Sequence, residues 1–175
     1  MELMVAVAII GILAALAAPS FNKMLDRNRL KGAAEGLFND LQLARTEAIK
    51  RNQDVDVTFS ATGPTTTWAY GLRTGSTCDP SVAISDVNAC QIDGVLKITR
   101  STDYPGVSLE TSAFAAAATP VALRRAEFEP RQGTADVYGT AVLTIRNDEL
   151  RVIVNILGRV RICTTTGMPG YQSCT

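Results

Sequence analysis

ELMVAVAIIGILAALAAPSF, residues 2–21, holds one charged side chain, Glu2, and the next charge along the chain is Lys23. At about 1.5 Å per helical residue, the uncharged stretch from Leu3 to Ala18 falls a little short of a roughly 30 Å hydrocarbon layer, and Pro19, Ser20 and Phe21 bring it close. Glu2 is the difficulty. A secretion signal leads with Lys or Arg rather than a carboxylate, and an acidic side chain near the centre of a membrane helix costs roughly 2.5–3.5 kcal/mol. Glu2 must therefore sit at a membrane edge or meet a positive group. Ala15-Leu16-Ala17 has the small-residue form of a signal cleavage site. Glu2, the lack of a leading positive charge and the helical pattern beyond Pro19 speak instead for a retained stem. A merely buried core helix would need apolar partners on every side, more than a chain of 175 residues provides.

The helical pattern continues past the stem. Leu30, Ala34, Leu37, Leu41, Ala44 and Ala48 recur at alternating steps of four and three, an apolar stripe of heptad type. Lys31, Glu35, Gln42, Arg45 and Lys50 lie off it. The expected element is one long helix, kinked at Pro19 and ending near Arg51. Residues 1–21 form its apolar half, 22–52 its amphipathic half, and 53–175 a β-rich head. In the head the period becomes two: DVDVTFS places Val55, Val57 and Phe59 on one face, and TWAYGL, GVLKITR and GVSLE are further short strands. Thr111 to Pro120, with Ala115 to Ala118, reads as a loop. GTAVLTIRNDELRVIVNILGRVRIC reads as a hairpin turning near Asn147–Asp148. Strands in series without intervening helices predict an α+β fold, an antiparallel sheet packed on the long helix.

Lys plus Arg number 17 and Asp plus Glu 17, so an anionic partner has to be held by a local cluster rather than a global field. Histidine is absent, and with it the commonest general base and metal ligand. No nucleophile-elbow, phosphate-loop or dinucleotide motif occurs. The chain is read as a non-enzyme with no cofactor and no metal. Its four cysteines, Cys78, Cys90, Cys163 and Cys174, form two close pairs whose spacing fits no C-x-x-C motif. Two local disulfides, Cys78–Cys90 and Cys163–Cys174, are expected, against the alternative of four buried thiols. An apolar N-terminus that sends the head out of the cytoplasm favours oxidation.

An acidic residue, a branched apolar run, Gly11, then Ala-rich sequence with Pro19 resembles the mature N-terminal helix of type IV pilins and type II secretion pseudopilins. LQLARTEAIKRN, FEPRQGTA and GRVR are similar to the FimT/GspH branch of minor pilins and pseudopilins, and the resemblance spans essentially the whole chain. It implies a single-pass inner-membrane protein with a periplasmic head, which then enters a pilus or pseudopilus beside other subunits. It also implies a role for Glu2, pairing with the N-terminal amine of a neighbouring subunit during filament assembly. The family's basic leader, glycine cleavage site and methylated Phe-Thr-Leu start do not precede Glu2, and Met1 aligns with the fourth mature residue; a downstream start codon or a trimmed chain is the expected reason. Lys23, Arg27, Arg29 and Lys31 taken alone would hold the head in the cytoplasm. Its orientation therefore follows from the resemblance.

In LRVIVNILGRVRIC the even positions Val152, Val154, Ile156, Val160 and Ile162 are apolar and are expected to face the core. Arg151, Asn155, Arg159 and Arg161 then point outward. On one strand face Arg159 and Arg161 stand about 6.6 Å apart, a spacing that suits neighbouring phosphates, and each guanidinium can bind phosphate oxygens in a bidentate way. Gly158 lets a backbone come close. By chemistry alone such a pair is more often a solvated face. GRVR is also similar to the GRxR motif associated with DNA binding in FimT-like minor pilins, which makes Gly158, Arg159 and Arg161 the implied site for double-stranded DNA during uptake. The alternative is a GspH-type pseudopilin that serves protein export structurally. Arg124, Arg125 and Arg131 lie among Glu127 and Glu129 and are left out of the site.

Overall fold

The computed structural model describes the backbone of residues 2–61, 63–115 and 123–174, with side chains described at Met4 and from Phe21 onward. The side chains of Glu2, Leu3 and residues 5–20, on which the stem and assembly expectations rest, lie outside the described ones. Among the described residues no helix is long and apolar enough to cross a membrane.

One helix, α1, runs Glu2–Arg51 and is continuous through Pro19. Its buried stripe is the one the spacing predicts: Leu30, Ala34, Leu37, Leu41, Ala44 and Ala48 are all fully buried. The helix stops where the backbone turns left-handed at Asn52, with φ 53°. Asn52 N–H then reaches the Ile49 carbonyl at 3.4 Å and Gln53 N–H reaches that of Ala48 at 3.3 Å. These two bonds satisfy carbonyls that the helix end would otherwise leave open, in the pattern of a Schellman cap.

Eleven strands follow among the described residues: β1 Val55–Phe59, β2 Ala69–Thr74, β3 Gln91–Ile92, β4 Val95–Leu96, β5 Ile98–Arg100, β6 Ser108–Glu110, β7 Arg124–Phe128, β8 Ala135–Val137, β9 Gly139–Ile145, β10 Asp148–Val154 and β11 Val160–Cys163. They make a five-stranded sheet in the order β5-β2-β1-β7-β8, a four-stranded sheet in the order β11-β10-β9-β6, and the small β3-β4 hairpin. Every pairing between these strands is antiparallel. Both larger sheets send apolar side chains into the cluster that receives the helix stripe, among them Val57, Phe59, Leu72, Ala126, Leu143, Leu150 and Val152. The fold is α+β: a long N-terminal helix packed on an antiparallel β head.

Three features add to or shift the strand-by-strand expectation. Strand β1 is buried on both faces, because Asp56 and Thr58 are enclosed as well as Val55, Val57 and Phe59. The outer face is covered by the segment that the Cys78–Cys90 disulfide closes, where Cys78 N–H donates to Thr58 Oγ1 at 3.2 Å. Arg125 meets Asp56 at 3.1 Å and Glu127 at 2.9 Å. Burial raises the Asp56 carboxyl above its ordinary range, against the pull of Arg125. In the expected loop after Thr111, Phe114 is a core residue, stacked on Phe59 with ring centroids 5.1 Å apart; residues 116–120 lie outside the described ones. The β9–β10 turn falls one residue early, with Ile145 paired to Asp148 and Arg146 in the left-handed region at φ 51°.

Candidate functional site

The two ends of strand β10 meet different ends of the packed helix. At its start Arg27 binds Asp148 at 3.0 Å, and Arg146, just before the strand, binds Asp26 at 2.7 Å. Beyond its far end, Gly158 packs beside Arg45 and Gly133. Arg27 and Arg45 are separated by about 27 Å of helix at 1.5 Å per residue. The β10–β11 connection therefore sits at the end of the head remote from the apolar N-terminal run.

That connection is pinned from inside and outside. Asn155 N–H donates to the Arg159 carbonyl at 3.1 Å, while its side-chain Oδ1 accepts the Arg159 N–H at 2.9 Å. Gly158 N–H donates to the Asn155 carbonyl at 2.8 Å. Ala135 N–H donates to the Ile156 carbonyl at 3.0 Å, joining the turn to the start of β8. Gly158 has φ 69°, and a Cβ there would fall on the carbonyl oxygen of Gly133. Gly133, at φ 61°, is closed off in turn: its Cβ would lie 2.8 Å from Ile49 Cδ1 and 2.9 Å from Arg45 Nε. The Arg45 Nε donates to the Gly133 carbonyl at 2.9 Å.

LQLARTEAIKRN, FEPRQGTA and GRVR thus converge through Arg45, Gly133 and Gly158. Only Gly158 of these three is among the site residues singled out from the sequence. The glycine inside FEPRQGTA was a usable signal, since a glycine set in a polar turn often marks a left-handed residue or a close backbone approach. Arg45 carried none, because its partner is a backbone carbonyl 88 positions away.

Arg159, just before β11, and Arg161, within it, are both exposed. With Ile153, Asn155 and Val160 they line a shallow depression of about 480 Å³, and among the described residues none in its wall is acidic. Register places Arg161 opposite Ile153 and Val160 opposite Val154. Arg151, farther along β10, is held by Glu149 at 2.6 Å. Burial opposes charge on Glu149, yet hydrogen bonds from Thr165 and Arg151 keep its carboxyl below the ordinary range. Arg124 donates to the Phe114 carbonyl at 3.2 Å, and Arg125 serves Asp56 and Glu127. Arg124, Arg125 and Arg151 all serve contacts within the head.

One expected core position is wrong. Ile156 is 58% exposed and its neighbour Leu157 57%. Strand β10 ends at Val154, so the alternation of faces stops before Ile156, and the turn carries both side chains outward. Val152, Val154 and Val160 do face the core, and Ile162 is partly buried against it.

After β11 the chain folds back on the helix. The disulfide between Cys163 and Cys174 closes this tail, and Tyr171 donates its hydroxyl proton to Glu35 at 2.6 Å. Lys31 lies over the Tyr171 ring, 5.6 Å from its centre. Among the described residues there is no cluster of His, Cys, Asp or Glu that could hold a metal ion.

The sequence model of the family described as Type II transport protein GspH matches residues 33–158. The chain belongs to the GspH family. The matched region contains Arg45, Gly133 and Gly158 and ends at Gly158, so Arg159 and Arg161 lie just beyond it. Among solved structures, this GspH-family chain is similar to the type IV minor pilin FimU of Pseudomonas aeruginosa. In one crystal form the identity is 19% over 83% of this chain and 96% of that one, with a TM-score of 0.51. In another it is 18% over 81% and 98%, with a TM-score of 0.47. At this identity the likeness is one of fold. No curated protein matches the chain.

Proposed function

We propose that this protein is a minor type IV pilin that binds double-stranded DNA non-specifically, reading no base edge, through Arg159 and Arg161, with Gly158 as their backbone support. One observation carries the reading: both arginines are exposed on the rim of one depression, whose described lining is otherwise Ile153, Asn155 and Val160. Guanidinium groups so disposed suit phosphate oxygens and carry no base information. The hairpin lies at the end of the head away from the stem, where a filament subunit can offer it to a partner. The apolar run from Leu3 to Phe21 serves as the inner-membrane stem before assembly, with the head in the periplasm, and Glu2 meets a neighbouring subunit's amine as the stem enters the filament.

The test is binding of the full chain, held in mild detergent, to random duplex DNA over a range of salt concentrations. Binding is expected to weaken steeply with salt, and Arg159→Ala with Arg161→Ala is expected to reduce the slope of log K against log salt by about 2. Absence of binding, or binding unchanged in the double variant, overturns the reading. A second reading, a structural pseudopilin of protein export, is favoured by the family description and by the end of the family match at Gly158. It predicts that the same variant leaves DNA behaviour unchanged and impairs secretion.

A further inference from the structure

Ile156 and Leu157 form the apex of the β10–β11 connection, with 58% and 57% of their surfaces open to solvent. Single exposed apolar residues are ordinary on a protein surface. Here two stand side by side on a turn whose backbone is fixed: the Ile156 carbonyl accepts the Ala135 N–H at 3.0 Å, and Gly158 N–H closes onto the Asn155 carbonyl at 2.8 Å. Gly158 rests against the Gly133 carbonyl, which leaves the turn no room to fold inward. The pair is a preformed apolar projection that needs no ordering before it meets a partner.

Its surroundings select the partner. Arg159 follows Leu157 by two positions, Arg161 stands two residues farther on, and Asn155 precedes the pair; among the described residues the adjoining depression is lined by no acidic side chain. Two side chains supply only a small part of the roughly 800 Å² per partner that a specific protein interface requires. They suit a narrow apolar slot rimmed by negative charge. An opened base step in duplex DNA is such a slot, with apolar base faces inside and phosphates on both rims, and aliphatic side chains entering from the minor groove kink the duplex there.

We propose that Ile156 and Leu157 act as a wedge that enters a base step from the minor groove while Arg159 and Arg161 hold the flanking phosphates, so that the protein bends the DNA it binds. The inference rests on the reading of these arginines as phosphate ligands. It adds a selection by deformability: flexible pyrimidine–purine steps open more easily and are the preferred entry points, although no base edge is read.

The experiment uses the full chain in mild detergent and a short random duplex with a fluorophore at each end, so that affinity and bending are read together. The unaltered protein is expected to shorten the end-to-end distance on binding. Ile156→Ser with Leu157→Ser is expected to abolish the shortening and weaken binding about ten-fold, with the salt slope kept. Ile156→Met with Leu157→Met is expected to restore both. All three proteins are expected to share one unfolding midpoint, because both side chains are exposed. If the serine variant binds and bends like the unaltered protein, or the unaltered protein binds without bending, the wedge is overturned and the arginine reading stands. If the unaltered protein does not bind duplex at all, both fall. If the serine variant keeps DNA binding and bending but fails to enter filaments, the tip is a subunit contact and the wedge is overturned.

Discussion

Arg45 Nε and the carbonyl oxygen of Gly133 stand 2.9 Å apart although 88 positions separate them in the chain. The same oxygen occupies the place a Cβ on Gly158 would need. One helix side chain thereby fixes a loop, and that loop fixes the turn that carries Arg159. A charge-assisted hydrogen bond of this kind contributes about 1.5–3 kcal/mol. Arg45→Met keeps most of the aliphatic packing of the side chain and removes the donor. It is expected to lower stability by about 1–2 kcal/mol, read as a shift in the denaturant midpoint at constant slope.

Gly158→Ala meets two obstacles at once, a left-handed backbone and a backbone atom where the methyl must go. The neighbour is a main chain and cannot swing aside as a flexible side chain would. A loss of at least about 2 kcal/mol is expected. Gly75 is the control: it too has a positive φ, 75°, but no atom stands within 4 Å of its added Cβ. Gly75→Ala should cost about 1 kcal/mol, the conformational part alone. Equal losses at the two positions would show that the Gly133 contact carries no weight.

Asp40 faces the sheet, where Tyr70 donates to it at 2.9 Å and Thr99 at 3.5 Å. Burial pushes its carboxyl above the ordinary range; the Tyr70 and Thr99 hydrogen bonds and the charge of Lys97 pull the other way without cancelling it. The folded state therefore holds this proton at a pH where the unfolded chain has released it. Stability from this group is fully present below the unfolded value of 3.8 and is lost as pH rises through the higher folded value. Asp40→Asn keeps an acceptor for Tyr70 and removes the buried charge. The variant should be more stable than the unaltered protein at neutral pH, with a flatter stability profile in mild acid, measured by denaturant unfolding across that range.

The Cys163–Cys174 bridge closes an 11-residue separation and holds Tyr171 against Glu35. Replacing both cysteines with serine should lower stability by about 2–3 kcal/mol and expose the tail to proteases. Limited proteolysis with mass spectrometry reads this directly: cutting should appear first between Thr164 and Ser173. A tail that resists cleavage as before would mean that the Tyr171 and Lys31 contacts suffice to hold it.

Glu2→Ala should leave the unfolding midpoint of the head unchanged and reduce entry of the protein into filaments, followed by the amount recovered in sheared fibres. Normal recovery would remove the proposed counter-charge role.

The amphipathic half of the helix was legible because its period is a local property. Six apolar positions at steps of four and three define a face whatever covers it, and all six are buried. The run of strands without helices likewise determined an antiparallel head, and the two-residue alternation placed Val152, Val154 and Val160 toward the core. Alternation failed where its premise did. It assumes that the strand continues and that one of its faces is wet. Strand β10 ends at Val154, which turns Ile156 out, and a segment closed by a distant disulfide covers the second face of β1, which turns Asp56 and Thr58 in. Tertiary structure alone decided these points, together with the Arg45–Gly133–Gly158 contact, because each depends on which remote backbone comes to lie beside a residue, and no local period records that.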